Sequence, residues 1–184
     1  MLTISRHLWV MPNYRRIRLP GRSYFFSVAL ADRRSGLLIE NIYDLRRAYA
    51  ATMATAPVFC DAMVILPDHL HAVWTLPPGD CLYSERWRKI KYRFSRAVGV
   101  HLPRSASKRA KRETGIWQRR FWEHTIRDDR DYRMHVAYCW SNPVKHGLVD
   151  RAVDWPFSSI HRDMRAGRVP PEWAGEVPDG DFGE

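Results

Sequence analysis

Cysteine is scarce: Cys60, Cys81 and Cys139 are the only three in 184 residues, an odd number with no Cys-x-x-Cys pair. That excludes a disulfide framework and a zinc ribbon, and the three read as reduced packing residues. No apolar run approaches the roughly 18 to 20 residues of a membrane-spanning helix. The first residues lack the basic, apolar, small-residue order of a secretory signal, so a cytoplasmic protein is expected. No internal repeat is visible, and no Gly-x-x-x-x-Gly-Lys-Ser/Thr loop offers a nucleotide its phosphate cradle. No nucleotide cofactor and no membrane partner are expected.

Positive charge is plentiful. Lysine and arginine number 30 against 20 acids, a formal net charge of +10, which points to a polyanionic partner. The excess is local: residues 85 to 120 hold 13 bases and two acids, whereas the rest of the chain is almost balanced. Trp87, Ile90, Tyr92, Phe94, Trp117, Phe121 and Trp122 are interleaved with or border those bases, a mixture that suits a folded, base-stacking surface rather than a polycationic tail.

With 45% hydrophobic residues the chain can bury one core. Residues 23 to 30 alternate as a strand, with Tyr24, Phe26, Val28 and Leu30 on one face. Asn41 is a candidate N-cap for a helix carrying Ile42, Leu45, Tyr49 and Met53 up to the breaker Pro57. Residues 58 to 66 and 69 to 76 form two strand-like runs separated by Pro67 and Asp68, which predicts an antiparallel hairpin. A second helix opens near Ser84, with Trp87, Ile90 and Phe94 toward the core and Arg86, Lys89, Arg93 and Arg96 as a basic stripe. Residues 99 to 114 read as a loop. A short strand over residues 117 to 126 leads to a third helix that starts at Asp128 and Asp129 and ends near Asn142, before Pro143. This order predicts an α+β fold: an antiparallel sheet with helices mainly on one face. Residues 1 to 12 read as an N-terminal extension, with Met11 an alternative start, 13 to 165 as the domain, and 166 to 184 as an acidic tail, loosely packed or not packed at all.

In His69-Leu70-His71 both imidazoles project from one face of a strand. Two neutral imidazoles there can hold a divalent cation; the same pattern also suits two hydrogen-bonded histidines on a half-buried sheet. On the third helix, Tyr132, His135, Val136, Cys139 and Pro143 share the core side, while Tyr138 and Asn142 stack one turn apart on its flank. That spacing suits a nucleophile and a ligand, and equally a boundary tyrosine followed by the residue before a proline.

Six blocks carry a resemblance. Leu66-Pro67-Asp68-His69-Leu70-His71, Trp74-Thr75-Leu76-Pro77, Trp117-Gln118-Arg119-Arg120-Phe121-Trp122-Glu123-His124, His135-Val136-Ala137-Tyr138, Asn142-Pro143-Val144-Lys145-His146-Gly147 and Trp155-Pro156-Phe157-Ser158-Ser159 stand in this order. Together they closely resemble the REP-associated tyrosine transposases, single-tyrosine relatives of the IS200/IS605 transposases in the HUH nuclease superfamily. The resemblance implies a ferredoxin/RRM-like HUH fold. It also implies a protein that binds single-stranded, hairpin-forming DNA of repetitive extragenic palindromes and cuts and rejoins it with a divalent metal, Mg2+ or Mn2+. By matching motifs His69 and His71 take the place of the metal ligands, Tyr138 that of the nucleophile, and Asn142 that of a third polar ligand. Ala137 stands where relatives often carry an acid. A monomer or homodimer, nucleoid-associated when bound to DNA, is implied.

For DNA contacts the candidates are Arg15, Arg16, Arg86, Lys89, Arg93, Arg119 and Arg120 on phosphates, with the Lys108 to Arg112 run, and Trp117, Trp122 and His124 as stacking or base-edge partners. The rival readings are a non-catalytic sequence-specific nucleic-acid-binding protein whose histidines and tyrosine are structural, and a metal-dependent phosphodiesterase using water.

Overall fold

The computed structural model describes residues 18–99, 115–174 and Phe182. Arg15, Arg16, the Lys108 to Arg112 run and nearly all of the expected 99 to 114 loop lie outside the described residues. Four strands, β1 (Ser23–Ala29), β2 (Phe59–Ile65), β3 (His69–Thr75) and β4 (Trp122–Thr125), form one antiparallel sheet in the order β2-β3-β1-β4. The helices are α1 (Leu37–Glu40), α2 (Ile42–Met53), α3 (Tyr83–Val98), α4 (Asp129–Lys145) and α5 (Ile160–Arg165), with a 3-10 turn at Ala152–Asp154.

The β2–β3 hairpin forms where the turn residues predict it. Pro67 and Asp68 reverse the chain, and Leu66 N–H donates to the His69 carbonyl at 2.8 Å. His69 is therefore the first residue of β3, and His71 sits opposite both Ser27 of β1 and Val64 of β2.

Both faces of the central strands are covered, which is why β1 and β3 are nearly continuous apolar runs. One face presents Tyr24, Phe26, Val28, Leu70, Ala72 and Trp74 to α2 and α3, with Trp74 and Trp87 stacked at 4.2 Å. The opposite face presents Phe25, Val64 and Val73, and with them Ser27, His69 and His71, to α4. Two of the long helices thus share one face, and the third covers the histidines.

Local details depart from the sequence expectations for definable reasons. Asn41 does not cap α2; its side-chain amide donates back to the Leu37 carbonyl at 3.0 Å, joining the short α1 to α2. α2 stops at Met53, ahead of Pro57. α4 does not end at Asn142 but runs through Pro143 to Lys145. A proline removes only its own N–H bond, and near the last turn the loss is local. The helix then closes in a Schellman motif: Leu148 N–H donates to the Pro143 carbonyl and Gly147 N–H to that of Val144, both at 2.9 Å, with Gly147 at φ 63°. At the other end the Asp128 carboxylate accepts from Asp131 N–H, as expected of an N-cap.

Three described residues of the expected tail are packed. Val169 is buried beside Ile160 and Ala152, Trp173 meets Trp140 edge to face at 5.5 Å, and Phe182 is 5% exposed against α4 and β1. These three apolar residues stand in a stretch that is acidic in sequence, so a charge count does not reveal them.

Candidate active site

The histidine face of β3 lies under the C-terminal half of α4. His69 and His71 rings are 4.9 Å apart, edge to face, and the His71 ring is 5.3 Å from that of Tyr138. Tyr138 and Asn142 are fully buried, so they do not sit on an open flank, and Tyr138 faces the sheet with its ring against Phe25 and His71. A flank position follows only if the helix has a single core side, whereas α4 is covered on two: Trp140 and Val144 carry its other flank onto Ala152, Ile160 and Val169.

Each histidine is oriented through Nδ1. His69 Nδ1 is 2.7 Å from the Asp68 carboxylate, whose other oxygen is 2.9 Å from Arg33 Nε. His71 Nδ1 is 2.8 Å from Ser27 Oγ. Such outer contacts fix ring direction and tautomer, as they do for metal-ligating histidines generally. His146, at the end of α4, brings a third imidazole 5.1 Å from His69.

Tyr138 is held from two sides. Lys145, two turns on, donates from Nζ to Tyr138 Oη at 2.8 Å, with its ammonium 4.8 Å from the ring centre. On its other face the Phe182 ring stacks at 3.7 Å and 12°. The sequence reading singled out neither Lys145, Ser27, Asp68, His146 nor Phe182. For Lys145 the i, i+7 spacing from Tyr138 was a usable signal; for Ser27, the period-2 placement opposite the histidine strand.

A second cluster lies where β4 meets the start of α4. One ligand atom each of His124, Asp131 and His135 lies within 4.8 Å of the others, so this trio could hold a metal ion. Here the same atoms are joined by hydrogen bonds: Asp131 Oδ2 accepts from His124 Nε2 at 2.8 Å and from Arg127 N and Nε, while His135 Nδ1 is 3.1 Å from Oδ1. Burial alone would raise the Asp131 carboxyl, but the donors from His124 and Arg127 outweigh it and hold it at about 2. Burial pushes His135 below the ordinary histidine value. With a guanidinium already beside the carboxylate, the cluster works as a clamp between β4 and α4.

The basic candidates divide. Arg86 is 4% exposed; its guanidinium pairs with Asp80 and donates to the carbonyls of Ala56 and Pro57, so it is a structural residue and not a phosphate contact. Arg93 Nη1 donates to Thr52 Oγ1 of α2 and ties the two helices together. Lys89 is half-buried on α3, and all of α3 lies across the sheet from the histidines. Trp117 packs edge to face on Phe94, on that same far side. Arg119 and Arg120 are exposed. Trp122 and His124 lie on the histidine side, half-buried and stacked parallel at 6.0 Å and 8°.

An antiparallel sheet carrying a histidine pair on a central strand, roofed by a helix with one tyrosine over that pair, is the arrangement that the resemblance to the HUH class implies. Within that class, the chain belongs to the REP-associated tyrosine transposases. It is 45% identical over 174 residues to the REP-associated tyrosine transposase of Escherichia coli strain K12, covering 95% of this chain and 98% of that one. A Haemophilus influenzae relative is 45% identical over 166 residues, covering 90% and 94%. The solved structure of a REP-associated tyrosine transposase bound to a REP hairpin superposes with a TM-score of 0.85 at 45% identity, over 95% of this chain and 98% of that one. No family model matches the chain.

Proposed function

We propose that this chain binds hairpin-forming, single-stranded DNA of repetitive extragenic palindromes and cleaves and rejoins it through a 5′-phosphotyrosine on Tyr138. The observation that carries the reading is the meeting of Tyr138, on α4, with His71, on β3, across the helix–sheet seam at 5.3 Å. It is supported by the relative of known structure, which was solved on a REP hairpin.

His69, His71 and Asn142 are the residues that would hold a divalent cation, Mg2+ or Mn2+. The donor set fits, because each histidine has a polar partner at Nδ1, which makes Nε2 the candidate ligand atom. A cation bound there supplies charge withdrawal from the phosphate and in-line orientation.

In the forward step Tyr138 Oη bonds to phosphorus and the bond from phosphorus to the 3′-oxygen breaks, leaving a 3′-hydroxyl on the released strand. The phenolic proton leaves Oη, and the 3′-oxygen takes one up. One phosphodiester replaces another, so the step is close to reversible, and attack by a DNA 3′-hydroxyl reseals the strand without a nucleotide cofactor. Lys145 places its ammonium on Oη, where charge develops as that bond forms and breaks. Arg119 and Arg120 are the exposed phosphate contacts, with Trp122 and His124 a stacking edge on the histidine side.

Tyr138→Phe, mixed with a labelled palindrome, retains binding and forms no SDS-resistant adduct. An adduct that persists in this variant excludes Tyr138 as the nucleophile, and absence of an adduct from the unmodified chain favours the binding-only reading.

A further inference from the structure

The two proposed ligand histidines are anchored by different chemistry. Asp68 faces His69 with a carboxylate, which has no proton to give, so His69 Nδ1 carries the hydrogen and the neutral ring has its lone pair on Nε2. His71 faces a hydroxyl, and a hydroxyl can donate or accept. Taken alone, the 2.8 Å contact from Ser27 Oγ to His71 Nδ1 fits either tautomer, and only one of them presents Nε2 to a cation.

The C-terminal segment removes that ambiguity. Ser27 Oγ also lies 2.6 Å from the backbone carbonyl of Phe182. A carbonyl only accepts, and a serine hydroxyl has one hydrogen, so that hydrogen points at Phe182. Ser27 Oγ is then the acceptor for His71, and Nδ1 must carry the proton. Register makes the arrangement rigid, because Ser27 is the β1 residue paired directly with His71. Ser27 is 6% exposed, which leaves little water to take over either contact. The carbonyl is positioned by its own side chain: the Phe182 ring is fixed against Tyr138 at 3.7 Å, His135 at 5.1 Å and Phe25 at 6.0 Å.

We infer that Ser27 and the Phe182 carbonyl together form a positioning device for a metal ligand, selecting the His71 tautomer whose Nε2 binds a divalent cation. The inference rests on the reading of His69 and His71 as ligands. It makes residue 182, far from either histidine in sequence, part of what sets the affinity of the site. If the Phe182 ring leaves Tyr138, its carbonyl leaves Ser27, and the hydroxyl regains the freedom to donate to His71 and move the ring proton to Nε2.

The test uses the full chain without DNA. Imidazole 15N NMR on the metal-free protein, with the His71 signals assigned by their loss in His71→Gln, reports which ring nitrogen is protonated. Electron paramagnetic resonance of free Mn2+ gives the affinity. The unmodified chain shows His71 protonated on Nδ1. Ser27→Ala shows a mixture and binds Mn2+ roughly 10- to 100-fold more weakly, the range typical of lost outer contacts. Ser27→Thr, which keeps the hydroxyl, retains both properties, and Phe182→Ala loses the tautomer preference. An Nε2-protonated His71 in the unmodified chain overturns the inference, as does unchanged Mn2+ affinity in Ser27→Ala when His71→Gln abolishes binding. Unchanged affinity in His71→Gln overturns the metal-ligand reading itself and the inference with it; the response of His71→Gln tells the two failures apart.

Discussion

Lys145 shows how much a single side chain can matter at a buried tyrosine proposed as a nucleophile. Its ammonium is the donor on Tyr138 Oη, at 2.8 Å, in a site where Tyr138 is fully buried and bulk water offers little screening. Removing one preorganised donor from a developing charge typically costs a factor of about 100 to 1,000. Lys145→Ala should therefore slow adduct formation by roughly 100-fold while hairpin affinity stays within about twofold; an unchanged rate of adduct formation excludes the role. The facing of His69 and His71 on one side of β3 was legible from the strand period, and the candidacy of Tyr138 and Asn142 from the short ordered motifs that carry the family resemblance. Ser27 and Phe182 were not. Their roles depend on which strands pair and on where a segment remote in sequence comes to rest, and neither is a local property.

At the scale of elements, α4 is held at both ends by polar devices that differ in kind. Its last turn relies on backbone geometry, with Gly147 supplying the left-handed residue that ends the helix over His69. Its first turn relies on charge, with the Asp131 carboxylate collecting donors from His124 of β4 and from Arg127, while His135 Nδ1 bonds the Asp131 carbonyl. The Asp131 carboxyl is held at about 2, below its ordinary 3.8. A depressed carboxyl contributes stability that is present above the unfolded value and is lost as pH falls through the folded one. Asp131→Asn should thus be less stable than the unmodified chain by about 2 kcal/mol at neutral pH. That difference should close between pH 4 and 2, as followed by denaturant midpoints; a constant difference across that range rules out the clamp. The strand–helix order of the fold was legible because hydrophobic periods mark it. The ends of α2 and α4 were not, because caps and a proline in the last turn are decided by a few backbone hydrogen bonds.

For the whole molecule, the positive charge that dominates the sequence is divided by the sheet. Part of it is structural on the α3 side, where Arg86 and Arg93 join helices and loops, and part is exposed at Arg119 and Arg120. An arginine stripe beside an apolar face looks the same in sequence whether it meets phosphate or the carbonyls of a neighbouring loop. The two roles separate in one experiment. Arg119→Ala or Arg120→Ala should each reduce the salt dependence of single-strand binding by about 0.7. Arg86→Ala should leave that slope unchanged and cost roughly 1 to 3 kcal/mol of stability, through the Ala56 and Pro57 carbonyls left without their donor; a lower slope in Arg86→Ala would return it to the DNA surface.

The strand order has a consequence in time. β2 and β3 pair across a two-residue turn, whereas β1 must find both β3 and, at the sheet's edge, the four-residue β4, matching residue 24 with residue 125. Contacts so distant along the chain form late, and a short edge strand is a natural place for partial opening. Amide hydrogens of β3 around His71 should exchange only when the whole domain unfolds, while those of β4 exchange through smaller excursions. Trp122 would then come and go on a faster clock than the histidine pair, so that the edge proposed to stack on bases can let go of a strand while the proposed cutting centre keeps its shape.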